Sequence, residues 1–316
     1  MANVTIYKSA IMHLKLRKYF TLLLLLLSFS LLACNKNTNK PAKTKDQQVN
    51  KPSVQSLRNP TLFKFKNKVF SVPSPIQVSM IVKKMNVPFD PSYLNPAKNY
   101  SKYLTTFKQA VNLGIYGTNL AYANIYDQMS YFSDYFDVIK KLSQSLGLFN
   151  SIDQKTLDRI EKNSENKDSL AYIISTMFRD LDTYLTENQQ QKLGALILAG
   201  GWVESAYLAS QLYLKYKSKQ LLQFIGEQKA PLNNLIQLLN PFYKNGDKDI
   251  DHLFEALVDI STYYDSITMK YQYQAPEIYP DKHLTIIHSK TIVNIDKLDI
   301  EKVSQKIYKL RSWLVK

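Results

Sequence analysis

Apolar residues recur along most of the chain at steps of three and four, the spacing that stacks side chains on one face of an α-helix. Leu104, Phe107, Val111, Gly114, Thr118, Ala121 and Ile125 follow it. So do Phe132, Tyr135, Ile139, Leu142 and Leu146, and then Leu170, Ile174, Met177, Leu181 and Tyr184. The cleanest run is Ile250, Leu253, Leu257, Ile260, Tyr264, Ile267 and Tyr271. Gly147 and Gly246 stand where helices stop, and Asp153 and Asp249 stand near starts, where an acid complements the positive end of the helix dipole. The pattern predicts helices near 74–85, 101–126, 130–147, 153–164, 168–187, 189–216, 218–240, 248–273 and 297–315. Pro231 falls inside the seventh and predicts a kink or a break there.

One stretch departs from the helical period. His283–Ile295 holds two short runs, Leu284-Thr285-Ile286-Ile287 and Thr291-Ile292-Val293-Asn294-Ile295, around Ser289-Lys290. That reads as a small β-hairpin, and Leu62–Val72 reads as a second extended piece. Consecutive helices with short links pack as antiparallel neighbours. The expected fold is therefore all-α, an irregular antiparallel helical array, helical-repeat-like, with a small C-terminal β-hairpin. Gly114–Leu148 has the length of a tetratricopeptide unit, but its key positions do not align with one.

The N-terminal region follows another logic. A basic stretch, His13-Leu14-Lys15-Leu16-Arg17-Lys18, precedes a run of 13 largely apolar residues from Phe20 to Leu32. A spanning helix needs about 20 residues, so the run reads as the core of an export signal. It ends in Leu31-Leu32-Ala33-Cys34, which resembles the lipobox of bacterial lipoproteins: aliphatic at −3, small at −1 and cysteine at +1. Leu32 is the departure, because small residues are commoner at −2. The resemblance implies that a diacylglycerol is attached to the Cys34 thiol and that a signal peptidase recognising Leu31, Leu32 and Ala33 cuts before Cys34. The new amino group is then usually acylated, which accounts for a palmitate-type modification. Each buried CH₂ of such chains stabilises membrane attachment by roughly 0.8 kcal/mol, so two or three chains anchor a protein with no spanning helix. Met12 would give a more compact signal than Met1.

Residues 35–60 carry five Lys, five Asn and three Pro with no aromatic residue, too little apolar surface to offset ordering. They read as a tether with a coil span of about 30 Å. The organisation expected is a signal peptide at 1–33, an acylated Cys and basic tether at 34–68, and one helical domain at 69–316. Asn35 is not the aspartate that commonly retains lipoproteins at the inner membrane, so the resemblance implies the outer membrane, facing the periplasm. Signal, tether and Tyr-rich helical region together look like helical envelope lipoproteins, a resemblance that names no activity.

The net charge of +15 belongs mostly to this leader: residues 1–33 carry +4, residues 34–68 carry +8, and the remaining 248 carry +3. A nucleic-acid binder needs its basic face on the folded domain, so that class is excluded. The single Cys excludes a disulfide framework and a Cys-based metal site. Asp247-Lys248-Asp249-Ile250-Asp251 starts like a calcium loop, but His252 replaces the turn glycine and Val258 the bidentate glutamate. His252 and Glu255 lack a second ligand pair, and His283 and His288 flank the expected hairpin with no triad motif. No nucleophile elbow, phosphate loop, zincin motif or cofactor fingerprint is found, so no catalytic residue, metal ligand or cofactor is assigned.

The most unusual segment is Gly194-Ala195-Leu196-Ile197-Leu198-Ala199-Gly200-Gly201-Trp202-Val203-Glu204-Ser205, apolar on all sides and rich in glycine. It predicts a central helix that a neighbour approaches closely. Glu204 falls on the face of Ile197 and Gly200, so its carboxylate is expected to be buried, with either a structural partner or a raised pKa. The ligand candidates are Glu204, Trp202 beside it, and Asp127, one turn beyond Ala123 on another apolar helix. Two function classes follow. One is a noncatalytic membrane-tethered module that binds a protein, peptide or glycan. The other is a hydrolase-like envelope enzyme with Glu204 in a solvent-lined cleft.

Overall fold

The computed structural model describes residues 61–65, 68–72, 76–148, 154–163, 190–282, 284–294 and 297–316, with scattered residues from 166 to 187. The expected signal, the Leu31-Leu32-Ala33-Cys34 motif and the tether lie outside the described residues, as do Asp153 and His283.

β1 (Thr61–Phe65) and β2 (Lys68–Val72) pair antiparallel, with Phe63 opposite Phe70, which realises the extended piece expected at 62–72. α1 (Ile76–Lys84) follows, and two 3₁₀ turns at Pro91–Tyr93 and Ala97–Lys102 lead to α2 (Thr106–Ile125). α2 starts later than the periodicity predicts. Thr105 accepts a hydrogen bond from the Lys108 N–H at 3.2 Å and sets the first turn there. Leu104, read as the first residue of the apolar stripe, is 84% exposed. α3 (Met129–Ser145) and α4 (Gln154–Lys162) match their predictions within a few residues. Helical residues recur at 169–170, 172–173, 176, 183–185 and 187, inside the stretch expected as the fifth helix.

α5 (Gln191–Tyr216) ends in a left-handed Lys217, and α6 (Lys219–Glu227) is capped by Ser218. The predicted break comes at Gln228, and Pro231 sits in the first turn of α7 (Lys229–Leu239), where a missing N–H forfeits no intrahelical bond. α8 (Lys248–Tyr264) is capped by Asp247, with Asp249 and Asp251 in its first turn. The acidic cluster is thus a helix start.

The expected helix at 248–273 needs correction beyond Tyr264. Ile267 is still buried, but the next residues form β3 (Thr268–Gln272), and Tyr271 is 63% exposed. The helical spacing of Ile267 and Tyr271 has no core left to face. β4 (Glu277–Tyr279) pairs with β5 (Leu284–Ile286), and β3 pairs with β6 (Lys290–Asn294). Together they make one long hairpin with its turn at Pro280–Lys282, not at Ser289-Lys290. The two predicted strand runs follow one another on the returning arm instead of facing each other. Between the ladders, residues 273–276 oppose 287–289, a one-residue bulge held by Ser289, whose Oγ accepts from the Gln274 N–H and donates to its carbonyl. α9 (Lys297–Leu314) closes the chain.

α2 and α5 form the centre of the array; 16 of the 20 residues of α2 are buried, as are 16 of the 26 of α5, all between Gly194 and Leu212. α1 and α3 pack on α2, α6, α7 and α9 pack on α5, and α8 lies outside them against α7 and α9. The predicted close approach is present: a methyl group added to Gly114 would overlap the Ile197 carbonyl oxygen, and one added to Gly200 would overlap that of Val111. α5 is long and apolar enough to cross a membrane, but 83% of its apolar window is already buried inside the fold. It is a core helix.

Candidate functional site

Glu204 sits in the middle of α5 with none of its side chain accessible. Its partner comes from α9, 107 residues away: Arg311 Nε donates to Oε2 at 3.0 Å and Nη2 donates to Oε1 at 3.2 Å. α2 adds a third contact. In the amide orientation that satisfies both neighbours, Asn119 donates to Glu204 Oε1 at 2.7 Å and accepts from the Asn95 N–H at 2.9 Å. Arg311 also donates to the Tyr93 carbonyl at 3.4 Å and lies 4.6 Å from the Tyr207 ring centroid. Burial pushes the Glu204 carboxyl above its ordinary range, opposed by the Arg311 charge and the bonds from Arg311 and Asn119. Burial disfavours the guanidinium as well, but the Glu204 carboxylate outweighs it and Arg311 is held above its usual value.

The same polar layer continues toward the C-terminus. Asn95 Nδ2 donates to the Tyr103 hydroxyl at 2.9 Å and to Asn112 Oδ1 at 3.2 Å. The last carbonyls of a helix lack intrahelical donors. Here Lys108 Nζ reaches the Trp313 carbonyl at 2.6 Å, Asn112 the Leu314 carbonyl at 3.0 Å, and Tyr103 the Val315 carbonyl at 3.3 Å. The network therefore ties the 3₁₀ turns, α2, α5 and α9 together with its polar atoms paired to one another.

The three residues singled out from the sequence are not brought into one site. Trp202 is 2% exposed, and its indole N–H has no acceptor among the described residues. It leaves the helix two residues before Glu204 and so points to a different side. Asp127 does not lie on a buried helix face as expected. α2 stops at Ile125, and Asp127 adopts φ 57° in the exposed turn before α3. It is two turns beyond Asn119, about 12 Å along the axis. Sequence reasoning missed Arg311, Asn95, Asn112 and Asn119. Asn112 and Asn119, seven residues apart on an apolar helix, share one face and were the available signal.

The open features lie elsewhere. A groove of about 320 Å³ between α1 and α6 has Met80, Ile81 and Phe224 in its lining and Lys84 and Glu227 among its polar groups; Glu204, Trp202 and Asp127 do not line it. The hairpin β3–β6 exposes Tyr271, Tyr273, Ile278 and Ile287, each more than 60%. Near its tip, Tyr279 donates to Glu277 Oε2 at 2.7 Å and His288 Nε2 lies 3.1 Å from Oε1; the Tyr279 bond and then the His288 charge hold the Glu277 carboxyl below its usual range. No group of three or more His, Cys, Asp or Glu able to hold a metal ion occurs among the described residues. No protein-family model, curated protein or solved structure matches the chain.

Proposed function

We propose that the chain is a lipid-anchored envelope protein whose helical domain is a noncatalytic binding or scaffold module for a protein, peptide or glycan. The anchor reading rests on the order of basic stretch, short apolar run and Leu31-Leu32-Ala33-Cys34, followed by a Lys/Asn tether. By the same resemblance it faces the periplasm from the outer membrane. The noncatalytic reading is carried by Glu204. A general acid or base must lie within hydrogen-bond reach of a substrate proton. Glu204 is inaccessible, and both its oxygens are engaged by Arg311 and Asn119. Such a carboxylate holds the fold together. The hydrolase-like alternative loses its best residue, and no second acid contacts Glu204 among the described residues.

The test of the anchor is Cys34→Ser. The substituted chain is expected to lose labelling by a palmitate analogue and to accumulate as an unprocessed precursor. Normal labelling of that variant refutes the reading. Hydrolysis of an envelope substrate that disappears in Glu204→Gln, with the fold intact, refutes the noncatalytic half.

A further inference from the structure

We infer that the outer edge of β3 is a docking site for an extended segment of another polypeptide, one that alternates acidic and apolar side chains. The inference deepens the binding reading above and rests on it.

The edges of the ribbon are not equivalent. β6 lies against α6, where Gln223 Nε2 donates to the Thr291 carbonyl at 2.6 Å and Gln223 Oε1 accepts from the Val293 N–H at 3.1 Å. A single side-chain amide thus pairs two of the four backbone groups that Thr291 and Val293 turn outward from β6. Val293 also sits so close to Gly226 that a methyl group there would overlap its side chain, which fixes the ribbon on α6. In an antiparallel ladder, residues alternate between exchanging bonds with their opposite number and pointing their backbone groups away. Thr291 and Val293 point away, toward Gln223. Their opposite residues, Tyr271 and Met269, must then point their N–H and C=O groups outward from the other edge. Those groups meet no partner among the described residues, and all five residues of β3 are exposed. Two strands alone are marginal in water, and a third strand on this edge would complete the ladder.

The side chains state what that strand must carry. Lys270 and Lys290 lie on one face of the ribbon, and neither β3 nor β6 contains an acid. Met269 and Tyr271 lie on the other, 42% and 63% exposed. An incoming strand with acids on the first face and apolar residues on the second matches both. A second copy of the chain matches poorly, because pairing the two outward residues of each edge sets Lys270 opposite its own copy, and like charges opposite one another destabilise. A bilayer also matches poorly, since Met269 and Tyr271 lie on the face opposite Lys270 and Lys290 and only Ile292, among the large exposed apolar side chains of β3 and β6, lies beside the lysines.

The experiment titrates two synthetic peptides, alternating Val-Glu and alternating Val-Lys, against the full lipidated chain in detergent. The Val-Glu peptide is expected to bind at least tenfold tighter. Met269→Pro deletes one outward N–H without touching the ladder to β6, a change edge strands tolerate; it is expected to weaken Val-Glu binding at least tenfold with unchanged circular dichroism. Lys270→Glu keeps the backbone and is expected to reverse the preference toward Val-Lys. Absence of Val-Glu binding, equal binding by Met269→Pro, or an unchanged preference in Lys270→Glu overturns the inference. A dimer lost in Met269→Pro overturns it in favour of a second copy. Adsorption of the Cys34→Ser chain to anionic vesicles, abolished by Tyr271→Ser, overturns it in favour of a lipid surface. Failure of the peptides with Cys34 acylated refutes the edge alone; absence of acylation refutes the anchored-module reading whatever the peptides do.

Discussion

Replacing Glu204 by Gln keeps the shape of the side chain and removes its charge. In the native arrangement the carboxylate accepts three hydrogen bonds, two from Arg311 at 3.0 and 3.2 Å and one from Asn119 at 2.7 Å. A glutamine amide has one acceptor oxygen, and its NH₂ group must face a donor of Arg311 or Asn119. The Arg311 side chain, only 12% exposed, keeps its charge at every accessible pH and is left without a counter-ion. Breaking a buried pair by removing one partner costs about 3–5 kcal/mol. For a domain of this size that lowers the melting temperature by roughly 10 °C. Urea denaturation at neutral pH should show the loss as a shift in midpoint with an unchanged slope. Replacing both residues by Met removes the stranded charge, so the double variant should recover more than half of the loss. A single-variant loss below about 1 kcal/mol, or a double variant as unstable as the sum of its parts, refutes the reasoning.

The α2–α5 crossing gives a second test. Gly200→Ala drives a methyl group into the Val111 carbonyl and should cost about 3 kcal/mol, the upper end of ordinary overpacking, in urea denaturation, whereas Gly201→Ala meets nothing nearer than 3.6 Å and should be neutral or stabilising. Alkaline titration gives a third. Burial pushes Tyr122 up to about 12, and Tyr103, Tyr116, Tyr126, Tyr135, Tyr207 and Tyr264 are also raised. Raised folded-state values mean that this stability is full below about pH 10 and is lost as pH rises through the folded values, so phenolate absorbance of these groups should lag and then appear together with unfolding; full titration of all phenols near pH 10 with the fold retained contradicts it.

Most of the helical array was legible because burial on one face forces the three-and-four spacing, which survives in the sequence whatever the neighbours are. The Glu204 site was half legible. An acid inside a segment apolar on every side, Leu196 to Val203, announces its own burial. Its partner does not announce itself, because Arg311 lies 107 residues away on an otherwise ordinary amphipathic helix. Asp127 was misplaced for a local reason: the helix ends two residues earlier through a left-handed turn made without glycine. The hairpin was misjudged because Ile267 and Tyr271 happen to continue the helical spacing of α8. Only the pairing of Thr268–Gln272 with residues 290–294 separates strand from helix there, and pairing is a property of the fold.

The claim that matters most is that binding happens at the β3 edge while the Glu204 layer only holds the scaffold. A photo-crosslinking residue at position 271, in the full chain in intact cells, tests it most directly. One adduct to a single polypeptide is expected, absent when Met269→Pro is introduced and absent when the probe is moved to position 308, where Tyr308 is 51% exposed on α9. Adducts to lipid alone, or equal polypeptide adducts from positions 271 and 308, would contradict the account.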